Sequence, residues 1–309
     1  MEILIPILAA AVRSGTPILY ATLGEIITEK AGIMNLGLEG IMLMGALGGF
    51  WVNYMGYSPW LAILFAFGVG ALMGLVHAFL CVTLRTNQVV SGLALTMFGT
   101  GASSLLGRGF IGETIPGIRA LPLPMLSEIP WIGPIFFRHD PLVYMAYLLV
   151  GVLCWFLYRS RPGLHLRAVG ESPQVVDASG LSAIKLRYLY TIIGAGIVAI
   201  GGAYLSVVYN KLWGDMMTAG RGWIAVALVI FAIWNPLRAA FGAYLFGGVE
   251  AMQLRMQAGG TGISAPLLLM LPYLFTIGVL VFISIRKGRG ILLGAPAALG
   301  EPYYREERE

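Results

Sequence analysis

The amino-acid sequence predicts an all-α, polytopic membrane protein of about eight to ten transmembrane helices, with the N-terminus outside and the C-terminus in the cytoplasm. Three observations carry this. The 309 residues are 58% hydrophobic and only 11% charged, with a mean hydropathy of +0.82. A soluble domain carries about 25% charged residues, so this chain cannot cover a water-facing surface. Its forty-two glycines suit helices that approach closely in lipid. Apolar runs near the spanning length of about 20 residues recur along the chain, with Lys and Arg at their ends. The net charge of +5 follows from that placement, which is the orientation rule of membrane proteins. It does not indicate nucleic-acid binding.

Taken in order, the first span covers residues 3–23, interrupted by Arg13 and Pro17. The N-terminus lacks a basic first region, so no cleaved signal peptide is expected. A polar stretch, GEIITEKAGIMNLGLEG, follows. Further spans are predicted at 36–55, 60–84 and 89–106. Residues 107–140 form a long extracellular loop with five prolines and Trp131, Phe136 and Phe137. The fifth span is 141–158 and the sixth 188–209. Two runs at 223–234 and 239–252 are split by Asn235-Pro236-Leu237-Arg238. Both are too short to cross comfortably and read as a re-entrant or broken pair, or as two spans. A last span at 266–285 leads into a charged cytoplasmic tail, 286–309. The whole chain reads as one transmembrane domain.

Residues 159–187 lie between two apolar halves yet carry five Lys/Arg, Glu171 and Asp177. Placing this platform in the cytoplasm and alternating the spans puts thirteen of the twenty Lys/Arg inside. Arg13, Arg108, Arg119, Arg138, Lys211, Arg221 and Arg255 fall outside, an imbalance of the kind orientation requires. Within the platform, Ser172 and Pro173 form a helix start and Gly180 a helix stop. About two helical turns result, with Val175, Val176 and Ala178 as the apolar positions. Such a helix has no bilayer to bury in, so it either packs on its own loop or meets a protein partner.

Other polar residues are candidates for a substrate path. Glu39, beside Asn35 and between glycines, either marks a helix start along the path or satisfies backbone N–H groups. Glu250 is a second acid inside an apolar run, and GLEG and GGVE hint faintly at a repeated half. Tyr204, Tyr209, Asn210, Trp213 and Trp223 gather ring and amide groups that suit a planar ligand or an interfacial belt. Glu25 and Glu29, at the membrane boundary, read as a solvated face. His77 reads as a satisfied buried histidine, and Cys81 and Cys154 as inert buried thiols. No catalytic or metal-ligating constellation, cofactor motif or phosphate loop G-x-x-x-x-G-K-[ST] is present in the sequence. ATP hydrolysis by that route is excluded for this chain, and the spans hold too few acids for an obvious ion relay.

Three stretches carry a resemblance: GEIITEKAGIMNLGLEGIMLMGA, LRAVGESPQVVDASGLS and GRGWIAVALVIFAIWNPLRAAFGAYLFGG. In that order they resemble the permease subunits of bacterial ATP-binding-cassette (ABC) importers. The branch is that of simple-sugar, branched-chain amino-acid and nucleoside permeases, over about residues 15–285. The first stretch is most similar to nucleoside permeases, with simple-sugar or riboflavin transport as the alternative. An ion-coupled secondary transporter is the rival of a different class. The resemblance implies a multi-pass protein of the inner membrane that forms half of the translocation path. It implies ATP-binding ABC subunits below, a second permease subunit (usually a paralogue) beside it, and a substrate-binding lipoprotein or periplasmic protein above. The coupling helix to the ATPase would be Ser172, Pro173, Val176, Asp177, Ala178 and Gly180, with Val175 standing where many relatives have alanine.

Overall fold

Helix α9 (Ala183–Tyr204), prolonged by a π turn over Leu205–Tyr209, is the axis of the molecule. The computed structural model describes residues 4–259, 264, 267–268, 270–287 and 294–305. Around α9 stand α1 (Leu4–Lys30), α2 (Leu38–Tyr54) and α3 (Pro59–Ala78, with a π turn over Phe79–Thr83). They come so close because small residues face one another. Gly45 of α2 lies on the backbone of Ala199, and Gly24 of α1 on that of Gly194. With lipid outside, such contacts depend on packing rather than on expulsion of water. Helix α4 (Gln88–Gly107) packs on α2, and α6 (Pro141–Arg159) lies near α1 and α11. In the loop before α6 a single turn, α5 (Ile132–Phe136), closes the end of the molecule remote from the platform.

The platform is more helical than the sequence predicts. Helix α7 (Arg161–Glu171) starts at Ser160, whose Oγ accepts from Gly163 N at 3.0 Å, and buries Leu166 and Val169. Helix α8 (Pro173–Ala178) follows, and α9 begins at Ala183 rather than at 188. Lys185 and Arg187 are therefore part of the central helix.

The two short runs resolve differently. Helix α10 (Arg221–Phe231) has 11 residues and cannot cross: at 1.5 Å per residue it spans about 16 Å of a ~30 Å core. Helix α11 (Pro236–Ala258), with 23 residues, is long enough by length alone. The hydropathy pattern breaks off near Met252 because Glu250, Gln253 and Arg255 occupy its last turns. Helix α12 (Leu271–Lys287) completes the set. Among the described residues five helices, α1, α3, α4, α6 and α9 with their extensions, are long and apolar enough by composition to span a membrane. Residue 3 of the first predicted span, parts of 266–270 and tail residues 288–293 and 306–309 lie outside the described residues.

Candidate functional site

The short helix predicted between Ser172 and Gly180 is present as α8. Ser172 Oγ accepts from Val175 N at 3.4 Å, and Gly180 takes the left-handed conformation (φ 86°) that ends the turn. Pro173 and Val176 are buried against the platform, while Val175 is 66% exposed and Ala178 and Gly180 are also exposed. Asp177 points back into the protein rather than outward. Its Oδ1 accepts from Ala183 N at 2.9 Å, tying α8 to the start of α9. Its Oδ2 accepts from the Tyr303 hydroxyl at 2.5 Å, with Arg305 Nε at 3.7 Å. Partial burial pushes the Asp177 carboxyl up, but Tyr303, the Ala183 N–H and Arg305 together hold it below the usual carboxylate range.

Residues 294–305 thus form a strap beneath the helices. Ala298 N donates to Gly170 O at 2.9 Å and Ala297 N to Glu171 Oε2 at 3.2 Å. Lys30 Nζ donates to Gly294 O at 2.9 Å. Arg187, only 1% exposed, donates to the carbonyls of Glu301 and Ala298 at 3.3 and 3.5 Å. Arg85 lies over the Tyr304 ring, 4.3 Å from its centre. Sequence reasoning missed the strap. The one available signal was an aromatic pair, Tyr303-Tyr304, inside a charged tail.

A second constellation lies halfway through the helical layer. After α1 ends at the platform, residues 31–37 climb back between helices, and Thr96 Oγ1, near the middle of α4, donates to Leu36 O at 2.9 Å. Helix α2 therefore starts inside the layer, with Gly40 against Leu95 and Thr96. Helix α10 starts at the same level and runs the opposite way, so the two N-termini meet. Glu39, 4% exposed, joins them: Oε1 accepts from Thr218 Oγ1 at 2.5 Å and Gly220 N at 2.8 Å, and Oε2 from Gly222 N at 2.7 Å. A carboxylate there answers both the free N–H groups and the positive end of α10. Arg221, which the topology count placed in an outer loop, is instead ion-paired with Glu250 inside the layer. The two acids picked out in the sequence thus converge on one helix start.

The remaining candidates divide. Asn35 is buried; its Oδ1 accepts from Gly37 N at 2.8 Å, and its N–H donates to Glu25 Oε1 at 2.9 Å. Trp213 is buried at the far end beside Phe50 and Gly107. Tyr204 donates to Asp140 Oδ2 at 3.1 Å, whereas Asn210 and Trp223 are exposed. These rings and amides do not gather into one site, because the π turn at 205–209 and the descent of 210–220 separate them. Glu25 and Glu29 are not a solvated face. Both are buried, since α1 continues straight to Lys30 and Trp234 Nε1 donates to Glu29 Oε2 at 2.5 Å. His77 is buried with both ring nitrogens engaged, by Ser91 Oγ at 2.9 Å and Met34 O at 3.0 Å. Cys81 is buried, Cys154 is half-buried, and both are free thiols.

The family model described as branched-chain amino acid transport system / permease component matches residues 7–284. The chain belongs to this family. This permease is 44% identical over 326 residues to a Haloferax volcanii protein assigned as a glucose ABC transporter permease, covering 97% of this chain and 98% of the relative. It is 33% identical over 305 residues to the nucleoside ABC transporter permease protein of Lactococcus lactis subsp. cremoris, covering 94% of each. It is 31% identical over 329 residues to the guanosine ABC transporter permease protein of Bacillus subtilis, covering 100% of this chain and 99% of the relative. The permease is thus a membrane-spanning subunit of an ABC importer in the cytoplasmic membrane. It is not itself the ATPase and works with ATPase and substrate-binding partners.

Proposed function

We propose that this permease imports nucleosides and that α8 is the handle by which the ATPase moves it. The observation that carries the coupling reading is the exposed edge of α8, where Gln174, Val175, Ala178 and Gly180 face outward while Asp177 and Val176 fix the helix to the platform. An exposed valine on a two-turn helix is costly in water, and a groove on a partner removes that cost. In this reading the platform and the strap face the cytoplasm, the N-terminus lies outside, and a second permease, a paralogue, supplies the other half of the path. ATP binding moves α8, and rigid-body tilting switches access from one side to the other. Asn35 and Glu39 then serve the path by holding its broken helices rather than by touching solute. Trp213 braces the far end, and Asn210 and Trp223 are left as surface positions.

The nucleoside reading rests on two relatives named for nucleoside and guanosine transport. The relative assigned to glucose favours a sugar as the second reading. Competition of labelled adenosine uptake by guanosine, glucose, ribose and riboflavin separates them. Val175→Glu tests the handle: the side chain is exposed, so insertion survives, while ATP-driven uptake falls at least about tenfold. Wild-type uptake by that variant removes α8 from the mechanism. Uptake that persists without ATPase and collapses with a protonophore would establish the ion-coupled rival instead.

A further inference from the structure

Beside the helix junction a cleft of about 350 Å³ opens between α1, α10, α11 and α12. That volume lies in the range of small-molecule sites. Its walls are largely apolar, with Ile18, Ile224 and Phe246 on one side and Tyr273 on the other. The Tyr273 ring is held by its hydroxyl, which donates to Ala219 O at 2.9 Å. Two kinds of polar group break the apolar lining. The first is the ion pair of Arg221 and Glu250, whose charges cancel. Arg221 is further engaged by the Met217 and Thr218 carbonyls at 3.4 and 3.1 Å. The second is Gln253, which is 3% exposed and lines the cleft.

Inside a membrane layer, polar groups that line a cleft mark solute pathways. Helices broken at mid-depth are where transporters bind their cargo, and this cleft adjoins such a break. We propose that the cleft is a solute-contact site and that Gln253 recognises a neutral, ring-bearing solute, a nucleoside, through its paired donor and acceptor. The neutralised ion pair gives no net charge to attract a phosphorylated compound. Flat apolar walls accept a ring face, and a glutamine amide matches the adjacent donor and acceptor on the edge of a base, as it does with adenine. The proposal rests on the nucleoside reading above for the identity of the solute, but not for the existence of the site.

The test uses the assembled transporter, with its ATPase and binding protein, in vesicles. In a background with Cys81→Ala and Cys154→Ala, Gln253→Cys should react with a methanethiosulfonate reagent, and saturating adenosine should slow that reaction about fivefold or more. Gln253→Leu should raise the KM for adenosine uptake about tenfold, the effect of one lost hydrogen-bonding group, and lower kcat less. Where Gln253→Leu does not insert, thiol protection alone decides. A thiol at 253 that never reacts, or reacts equally fast with and without a solute the vesicles import, overturns the site. Vesicles that import glucose and not adenosine overturn only the nucleoside reading, and protection by glucose then judges the cleft.

Discussion

Three donors at the start of α10 converge on Glu39: the Thr218 hydroxyl and the N–H groups of Gly220 and Gly222. In Glu39→Gln the shape remains, but an amide NH2 is turned toward N–H donors that need an acceptor. We expect a loss of about 2 kcal/mol or more, read as a lower melting temperature in detergent. An unchanged melting temperature would show that the carboxylate does not hold α10. At the platform, Tyr303 and Asp177 make the strap pH-dependent in opposite directions. Burial first, then Asp177, pushes the Tyr303 hydroxyl up to about 12. Its contribution is complete below its unfolded value of about 10 and disappears as pH rises toward 12. The Asp177 carboxyl is held low, so its contribution is present above about pH 4 and disappears as pH falls through its folded value. Limited proteolysis of the strap should be flat from roughly pH 5 to pH 9 and rise on either side. Tyr303→Phe should shift the alkaline limb; an unmoved limb would assign it to another group.

At the scale of elements, legibility in the sequence followed how far each segment was governed by its own residues. Helix α8 was readable because Ser172, Pro173 and Gly180 are local start and stop signals. Helix α10 was readable as too short because Asn235-Pro236 cuts off the apolar run soon after it and Gly220-Arg221 stands at its start. The length of α11 was hidden, since Glu250 has its partner, Arg221, on another helix. Glu25 and Glu29 misled for the same reason, because their partners Asn35 and Trp234 are set by tertiary contacts. Helix packing gives a further prediction. Gly45 lies on the backbone of Ala199, whereas a side chain at Gly151 on α6 meets nothing within 4 Å. Gly45→Leu should cost about 3 kcal/mol or more through overpacking, while Gly151→Leu should be close to neutral. Melting temperatures in detergent compare them directly, and equal losses would refute the packing of α2 on α9.

For the whole molecule, the end bearing the platform gathers Lys30, Arg85, Arg187 and Arg305 around the strap. The placement of these cations on one side was legible from charge counting, but the strap that ties them together was not. Removing residues 294–309 should leave the helices inserted, since their packing is made elsewhere, and cut ATP-driven uptake severalfold because Asp177 and Arg187 lose their partners. Full uptake after truncation would reduce the strap to a passive cover. Protein synthesis runs from the N-terminus, so residues 294–305 leave the ribosome after α1 to α12 have been made. Until they arrive, the Arg187 guanidinium lacks its carbonyls and Asp177 its phenol. The face assigned to the ATPase is thus finished last. A product that stopped before residue 294 would hold every helix from α1 to α12 yet leave α8 without the contacts that fix Asp177 to the strap.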